Sequence, residues 1–224
     1  MNAKPAYRDL KKLVGMLQLL LAANLLLAVV GLWSGSIELE LLHRIQEGKN
    51  FTEDEATSSD SRQWALGVIY MILYVATAVV FLRWTYLSNR NAGSLIDGNL
   101  RNSPGWSVGW YFVPIATLWK PYQALKEIFQ ASHPEFTSNW AEAPFPKAMP
   151  VWWTLWIISG ALGQFILRRS ISAKTIDELI EVSTVVRISD LLDIPLMIVA
   201  IMLVTRLARF QSEKFSRLNP SSTG

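Results

Sequence analysis

Four stretches of this 224-residue sequence, residues 13–33, 64–87, 151–167 and 191–207, are long and apolar enough to cross a lipid bilayer. A hydrocarbon core about 30 Å thick takes about 20 helical residues, and a soluble domain of this size has no use for four such runs. The expectation is an all-α membrane protein with four transmembrane helices forming two hairpins, within a single multi-pass membrane domain over residues 1–224. Composition agrees: only 17% of residues are charged, against about 25% in soluble domains. Lys11 and Lys12 precede the first run as they would in a signal peptide. That run is about 21 residues long against about 7–15 for a signal core, which predicts an uncleaved span. The chain has no cysteine, which excludes disulfides, iron–sulfur clusters, thiol catalysis and Cys-based zinc sites. Its net charge of +3 is small and scattered, so no nucleic-acid partner is expected.

Lys and Arg gather on the cytoplasmic side of membrane proteins, so rival topologies can be counted. With four spans and both termini inside, the inner side holds 14 of these residues, Lys4 among them, and the outer side 7. If the segment from Trp106 to Trp119 also crossed, the split would be 11 against 10. Four spans in the cell (inner, cytoplasmic) membrane, with both termini cytoplasmic, is the preferred arrangement. Trp33 and Trp64 then mark the outer interface, and Trp84, Trp152 and Trp153 the inner one. Residues 37–45 carry apolar side chains at helical spacing, which predicts a short amphipathic extension of the first helix. Ile176 to Glu181 repeats that idea. Each half goes out, makes an acidic helical excursion and returns to a basic residue, Arg83 or Arg206, a faint parallel repeat.

Between the hairpins, the apolar run from Trp106 to Trp119 has 14 residues. That is about 21 Å of helix, short of a crossing. Pro114 and Pro121 each lack an N–H and crowd the preceding turn. Broken helix at membrane depth is tolerated only inside protein or along a wet cavity. A kinked re-entrant or interfacial Trp/Pro-rich helix is therefore predicted over about residues 104–130. Pro104 suits its first turn, and Gly105 and Gly109 would let another backbone approach closely.

The order Phe81, Leu82, Trp84, Asn91, then Pro104, Gly105, Trp106, Val108, Gly109, Trp110, Phe112, Val113, Pro114 and Ile115 carries a resemblance. It continues through Leu118, Trp119, Pro121, Tyr122, Gln123, Trp152 and Trp153. The pattern strongly resembles a family of bacterial membrane proteins known as domain of unknown function 4328. The likeness runs over roughly residues 65–210, with Ser189, Asp190, Asp193 and Arg206 fitting as well. It implies a bacterial membrane location and this helical layout, and it brings no activity. Thr117 departs from the pattern, standing where the family often has Asn before Leu-Trp.

Asp190 and Asp193 form the candidate polar or ion site. Carboxylates at membrane depth are costly and mark cation or proton sites. The competing reading has Ser189 capping the start of the last helix, ahead of Pro195, with both acids complementing its dipole. Arg83, Trp84, Arg90, Arg101, Lys120 and Lys126 read either as interfacial anchors or as a basic rim for anionic lipid headgroups. Asn91 is expected to fix the loop by hydrogen bonding. Gln18, Asn24, Thr77 and Gln164 read as interhelical glue, and Ser159 with Gly163 as a small-xxx-small contact. Trp106, Trp110, Trp119 and Tyr122 read as core or interfacial packing, or as an aromatic lipid or ligand surface.

His43 and His133 fall on opposite sides and cannot jointly hold a metal or haem. No metal or cofactor is expected, and no catalytic constellation has the spacing its chemistry needs. The sequence leans away from an enzyme and toward an interaction, regulatory or envelope-associated membrane module. Lipid is the expected contact, together with a protein partner or a second copy. The alternative is a small transporter or channel using the broken middle helix and Asp190/Asp193. A weaker one is an intramembrane enzyme acting on lipid.

Overall fold

A computed structural model describes residues 6–220 of the chain; Lys4 of the charge count lies outside them. Four long helices carry the apolar runs: α1 (Lys11–Gln46), α2 (Glu53–Ser94), α5 (Ala148–Ser172) and α6 (Ile176–Leu218). Each is long and apolar enough to cross a membrane. No strand occurs among the described residues. Large apolar side chains such as Leu26, Val29, Ile72, Val75 and Val79 are exposed on these helices. Water would not tolerate such continuous apolar faces, whereas lipid tails match them.

The helices outrun the apolar runs. At 1.5 Å per residue, the 42 residues of α2 extend about 63 Å, twice a bilayer core. The extension of α1 is continuous with the span, and the acidic stretches before the second and fourth runs are the first turns of α2 and α6. Both of those helices open with a capping box. Thr52 Oγ1 accepts from Glu55 N (3.1 Å) and Glu55 Oε2 accepts from Thr52 N (3.0 Å). Thr175 and Glu178 repeat the exchange at 3.3 and 3.2 Å. Gly48, at φ 68°, follows the end of α1 in a conformation glycine adopts without strain. Ser189 lies deep inside α6, as does Pro195. The capping account of Asp190 and Asp193 therefore falls, because no helix begins there.

The chain divides into two compact units, Met1–Leu19 with Thr77–Val151 and Ala200–Gly224, and Leu20–Ala76 with Trp152–Val199. In the second unit, parts of all four long helices are joined by side-chain bonds. Ser34 Oγ on α1 accepts from Arg62 Nε (2.9 Å) and Gln63 Nε2 (3.2 Å) on α2. Ser183 on α6 donates to Glu38 on α1 at 2.9 Å, and Arg169 on α5 pairs with Glu181 on α6 at 2.5 Å. Trp152 and Trp153 are buried in this unit and Trp153 stacks on Trp156 at 4.7 Å, so neither ring marks a lipid interface.

The first unit holds the middle segment. This segment is a series of short pieces: α3 (Pro104–Gly109), a 3-10 turn at Trp110–Phe112, another at Ala116–Leu118, and α4 (Lys120–Ala131). Pro104 opens α3 behind Ser103, whose Oγ accepts from Trp106 N at 3.3 Å. Pro121 stands in the first turn of α4, where its missing N–H costs nothing. The third proline, Pro114, leads into a γ-turn: Ala116 N donates to Pro114 O at 2.7 Å, and Ile115 sits at φ 66°, ψ −53°. A β-branched residue at positive φ is strained. Helix α4 buries Ala124, Leu125, Ile128, Phe129 and Ala131, which share its inner stripe.

Candidate functional site

Asp190 and Asp193, three residues apart on α6, lie on neighbouring turns of one face. Each meets a hydroxyl from another helix of the same unit. Tyr70 Oη on α2 lies 2.7 Å from Asp190 Oδ1, and Ser159 Oγ on α5 donates to Asp193 Oδ1 at 2.7 Å. Asp190 is 4% exposed, and its second oxygen, Oδ2, has no hydrogen-bond partner. Gly31 on α1 makes the room. A Cβ there would overlap the Tyr70 hydroxyl and come within 2.5 Å of Asp190 Oδ2. Four helices thus surround two carboxylates with two hydroxyl donors and no basic partner among the described salt bridges. Tyr70, Ser159 and Gly31 have no distinctive signal in the sequence as site residues. A Tyr and a Gly inside apolar runs read as ordinary span residues.

The small-residue pairs work differently from the sequence expectation. A Cβ at Gly163 would meet nothing, so Ser159 acts through its hydroxyl and Gly163 makes no close helix contact. A Cβ at Gly105 would also meet nothing, while one at Gly109 would press on the Trp106 ring at 3.3 Å. Gly109 therefore accommodates an aromatic ring of its own segment, not another backbone. Gln18 does bond across helices, donating to Thr205 at 2.8 Å. Asn24 donates to Leu20 O one turn back, and Gln164 is exposed.

In the first unit, a buried polar frame holds the middle segment. Glu127 on α4 accepts from Arg101 N, from Asn102 N (3.1 Å) and from Asn102 Nδ2 (2.7 Å). Asn102 passes the bonding on: its Oδ1 accepts from Trp110 Nε1 at 3.0 Å and its carbonyl from Asn89 at 3.1 Å. Asn91 clamps the backbone of Arg8, accepting from its N–H (3.0 Å) and donating to its carbonyl (2.8 Å). Gln211 donates to Ser88 O (2.8 Å) and Ser132 Oγ (3.1 Å). Lys214, 1% exposed, donates to the carbonyls of Ala131 (2.7 Å) and Phe136 (2.5 Å). Asn91 and Trp110, singled out in the sequence, are framework residues. Asn102, Glu127 and Gln211 have no distinctive signal in the sequence, and Lys214 enters there only as one of the 14 inner-side charges. Thr117 donates to Tyr111 O at 3.2 Å.

The candidate lipid-contact residues separate into two groups. Trp84 is 2% exposed, with Phe81 beside it at 5.5 Å, so it is a core residue and anchors nothing in lipid. Arg83 and Arg101 are exposed and Arg90 is half-buried. Lys120 lies over the Trp110 ring at 5.4 Å and Lys126 over Phe145 at 4.4 Å, cation–π contacts that hold both amines over aromatic faces. Trp106, tilted against Trp110 at 4.5 Å, is exposed together with Phe112, Leu118 and Trp119, and Ile115 at the strained turn is 72% exposed. Tyr122 is half-buried, and burial pushes its phenol up from the ordinary value. His133 packs edge-on to Phe136 and Phe210, and desolvation holds its imidazole below the ordinary range. No group of three His, Cys, Asp or Glu residues among those described is placed to hold a metal ion.

Four helices long and apolar enough to cross a membrane define the class: an all-helical membrane protein. Within it, the chain belongs to the family described as domain of unknown function (DUF4328), whose profile matches residues 47–209. The match begins just after α1 ends, so Gly31 lies outside it, as do Gln211 and Lys214. No curated protein and no solved structure matches the chain.

Proposed function

We propose that this chain is a non-enzymatic interaction or regulatory module of the bacterial inner membrane. In this reading it crosses the bilayer four times as two hairpins, with both termini inside, and its Trp/Pro segment enters the lipid from the inner side without crossing. The observation that carries the reading is the exposure of Trp106, Phe112, Ile115, Leu118 and Trp119 on a segment that bears Lys120 and follows the exposed Arg101. Large apolar side chains beside basic ones suit the boundary between acyl chains and anionic headgroups. The charge count of 14 against 7 supports the same orientation.

The absence of cysteine makes the test direct, since one introduced thiol labels one position. Ile115→Cys carrying an environment-sensitive fluorophore, in vesicles containing anionic lipid, is expected to emit as in hydrocarbon. Its quenching by aqueous iodide should be severalfold weaker than that of the same label at Lys49→Cys, in the exposed loop after α1. Equal quenching at the two positions would remove the reading. A second reading, a small transporter or channel, is favoured by one observation: the buried Asp190 carboxylate with an unpartnered oxygen.

A further inference from the structure

We propose that Asp190 is a proton-binding site within the spanning helices, occupied at neutral pH, with Tyr70 as the hydrogen-bond switch that lets the site be filled or emptied. The inference does not rest on the lipid-contact reading above, since it concerns the helix interior and holds whichever surface the Trp/Pro segment meets.

The argument is an accounting of hydrogens. Tyr70 Oη lies 2.7 Å from Asp190 Oδ1 and 3.1 Å from the carbonyl oxygen of Leu27 on α1. Both are acceptors when Asp190 is ionised, and a phenol has one proton to give. With Asp190 ionised, Tyr70 donates to Oδ1, and Oδ2 keeps its share of a full charge with no donor at all. An unpaired carboxylate away from water is among the costliest arrangements a protein can hold. With Asp190 protonated, every available hydrogen has a place. Asp190 Oδ1–H donates to Tyr70 Oη, and Tyr70 Oη–H turns to donate to Leu27 O. Oδ2 is then an uncharged carbonyl oxygen, much cheaper to leave buried.

The surrounding groups point the same way. From α1 the site meets Leu27 and Gly31, neither titratable; from α2, Tyr70; from α5, Ser159 through its bond to Asp193. On α6 itself, Asp193 lies one turn onward and would add a like charge. Arg187 lies three residues before Asp190, with its aliphatic part against Gly35, and no salt bridge joins it to either acid. When the site empties, the carboxyl O–H bond breaks and the proton passes to water or buffer base. Tyr70 keeps its own proton and swings it from Leu27 O to Oδ1.

Infrared spectroscopy of the full chain in lipid vesicles at neutral pH reads this directly, through the carbonyl stretch of a protonated carboxyl group. Wild type is expected to show such a band and Asp190→Asn to lose it, while Asp193→Asn retains it. Tyr70→Phe, which removes only the hydroxyl, is expected to keep the band and move it toward the frequency of a carboxyl lacking that partner. Should Asp190→Asn fail to incorporate, the Tyr70→Phe shift decides. A band unmoved by Tyr70→Phe, lost instead in Asp193→Asn, or absent from wild type while the carboxylate bands account for Asp190, overturns the proposal.

Discussion

Gly31→Ala is expected to destabilise the protein by about 2 kcal/mol in detergent or lipid, although alanine is the better helix former by about 1 kcal/mol. The added methyl would occupy the space of the Tyr70 hydroxyl and lie 2.5 Å from Asp190 Oδ2. Both are ends of side chains, so they can retreat, but only by giving up the 2.7 Å bond between them. Losing a hydrogen bond between neutral groups costs about 0.5–1.5 kcal/mol, and overpacking adds about 1–3 kcal/mol. Gly31→Leu has no accommodation available and should prevent stable folding. Gly160→Ala is the matched control, because a Cβ at Gly160 meets nothing within 4 Å. Denaturant titration followed by helix content checks the series. Equal stability of Gly31→Ala and Gly160→Ala would show that α1, α2 and α6 do not meet at Gly31 as described.

Glu127→Ala is the second large effect. The carboxylate satisfies three N–H donors from the residues just before α3, and Glu127 is a buried residue of α4. Removing it strands the Arg101 and Asn102 amides and frees the Asn102 side chain, which in turn positions the Trp110 indole. Each buried unsatisfied donor costs about 1–3 kcal/mol, and partial access to water lowers the sum, so about 3 kcal/mol is the expected total. That corresponds to about 100-fold in an opening equilibrium. Amide exchange at Arg101 and Asn102 should accelerate by about that factor, with α5 unaffected. Glu127→Gln keeps the shape but turns one acceptor into a donor facing donors, and should fall between. Unchanged exchange in Glu127→Ala would mean that the segment is held by its apolar contacts alone.

The spans were legible in the sequence because lipid imposes one crude requirement, a long apolar run, and each of the four runs lies within a long helix. The ends were not. Residues 53–63 look like an acidic loop by composition, and the helical pattern at 176–181 does not show that it runs unbroken into the fourth span, yet both stretches are continuous helix with the spans they precede. Their signal was local: the Thr-x-x-Glu spacings at Thr52 and Thr175, each followed by helix, which hydropathy does not register. Trp84 and Trp153 misled for a related reason. A Trp at the end of an apolar run reads as an interfacial anchor, and whether protein or lipid surrounds it depends on neighbours distant in sequence. Pairings such as Glu127 with Asn102, or Tyr70 with Asp190 120 residues away, leave no periodic trace. The Asp190/Asp193 pair was legible because charge is rare in an apolar run. Its environment was not, since Ser189 before two acids looks like a cap until α6 is seen to pass straight through.

The proposed function requires one topological arrangement: the stretch from α3 to α4 stays on the cytosolic face, so that the two termini share a compartment. The most direct measurement places paired reporters at each terminus, a phosphatase active only outside the cytoplasm and a fluorescent protein that matures only within it. Fluorescence without phosphatase activity at both ends is the predicted result. Phosphatase activity at one end and fluorescence at the other would contradict it, because an odd number of crossings would then be required.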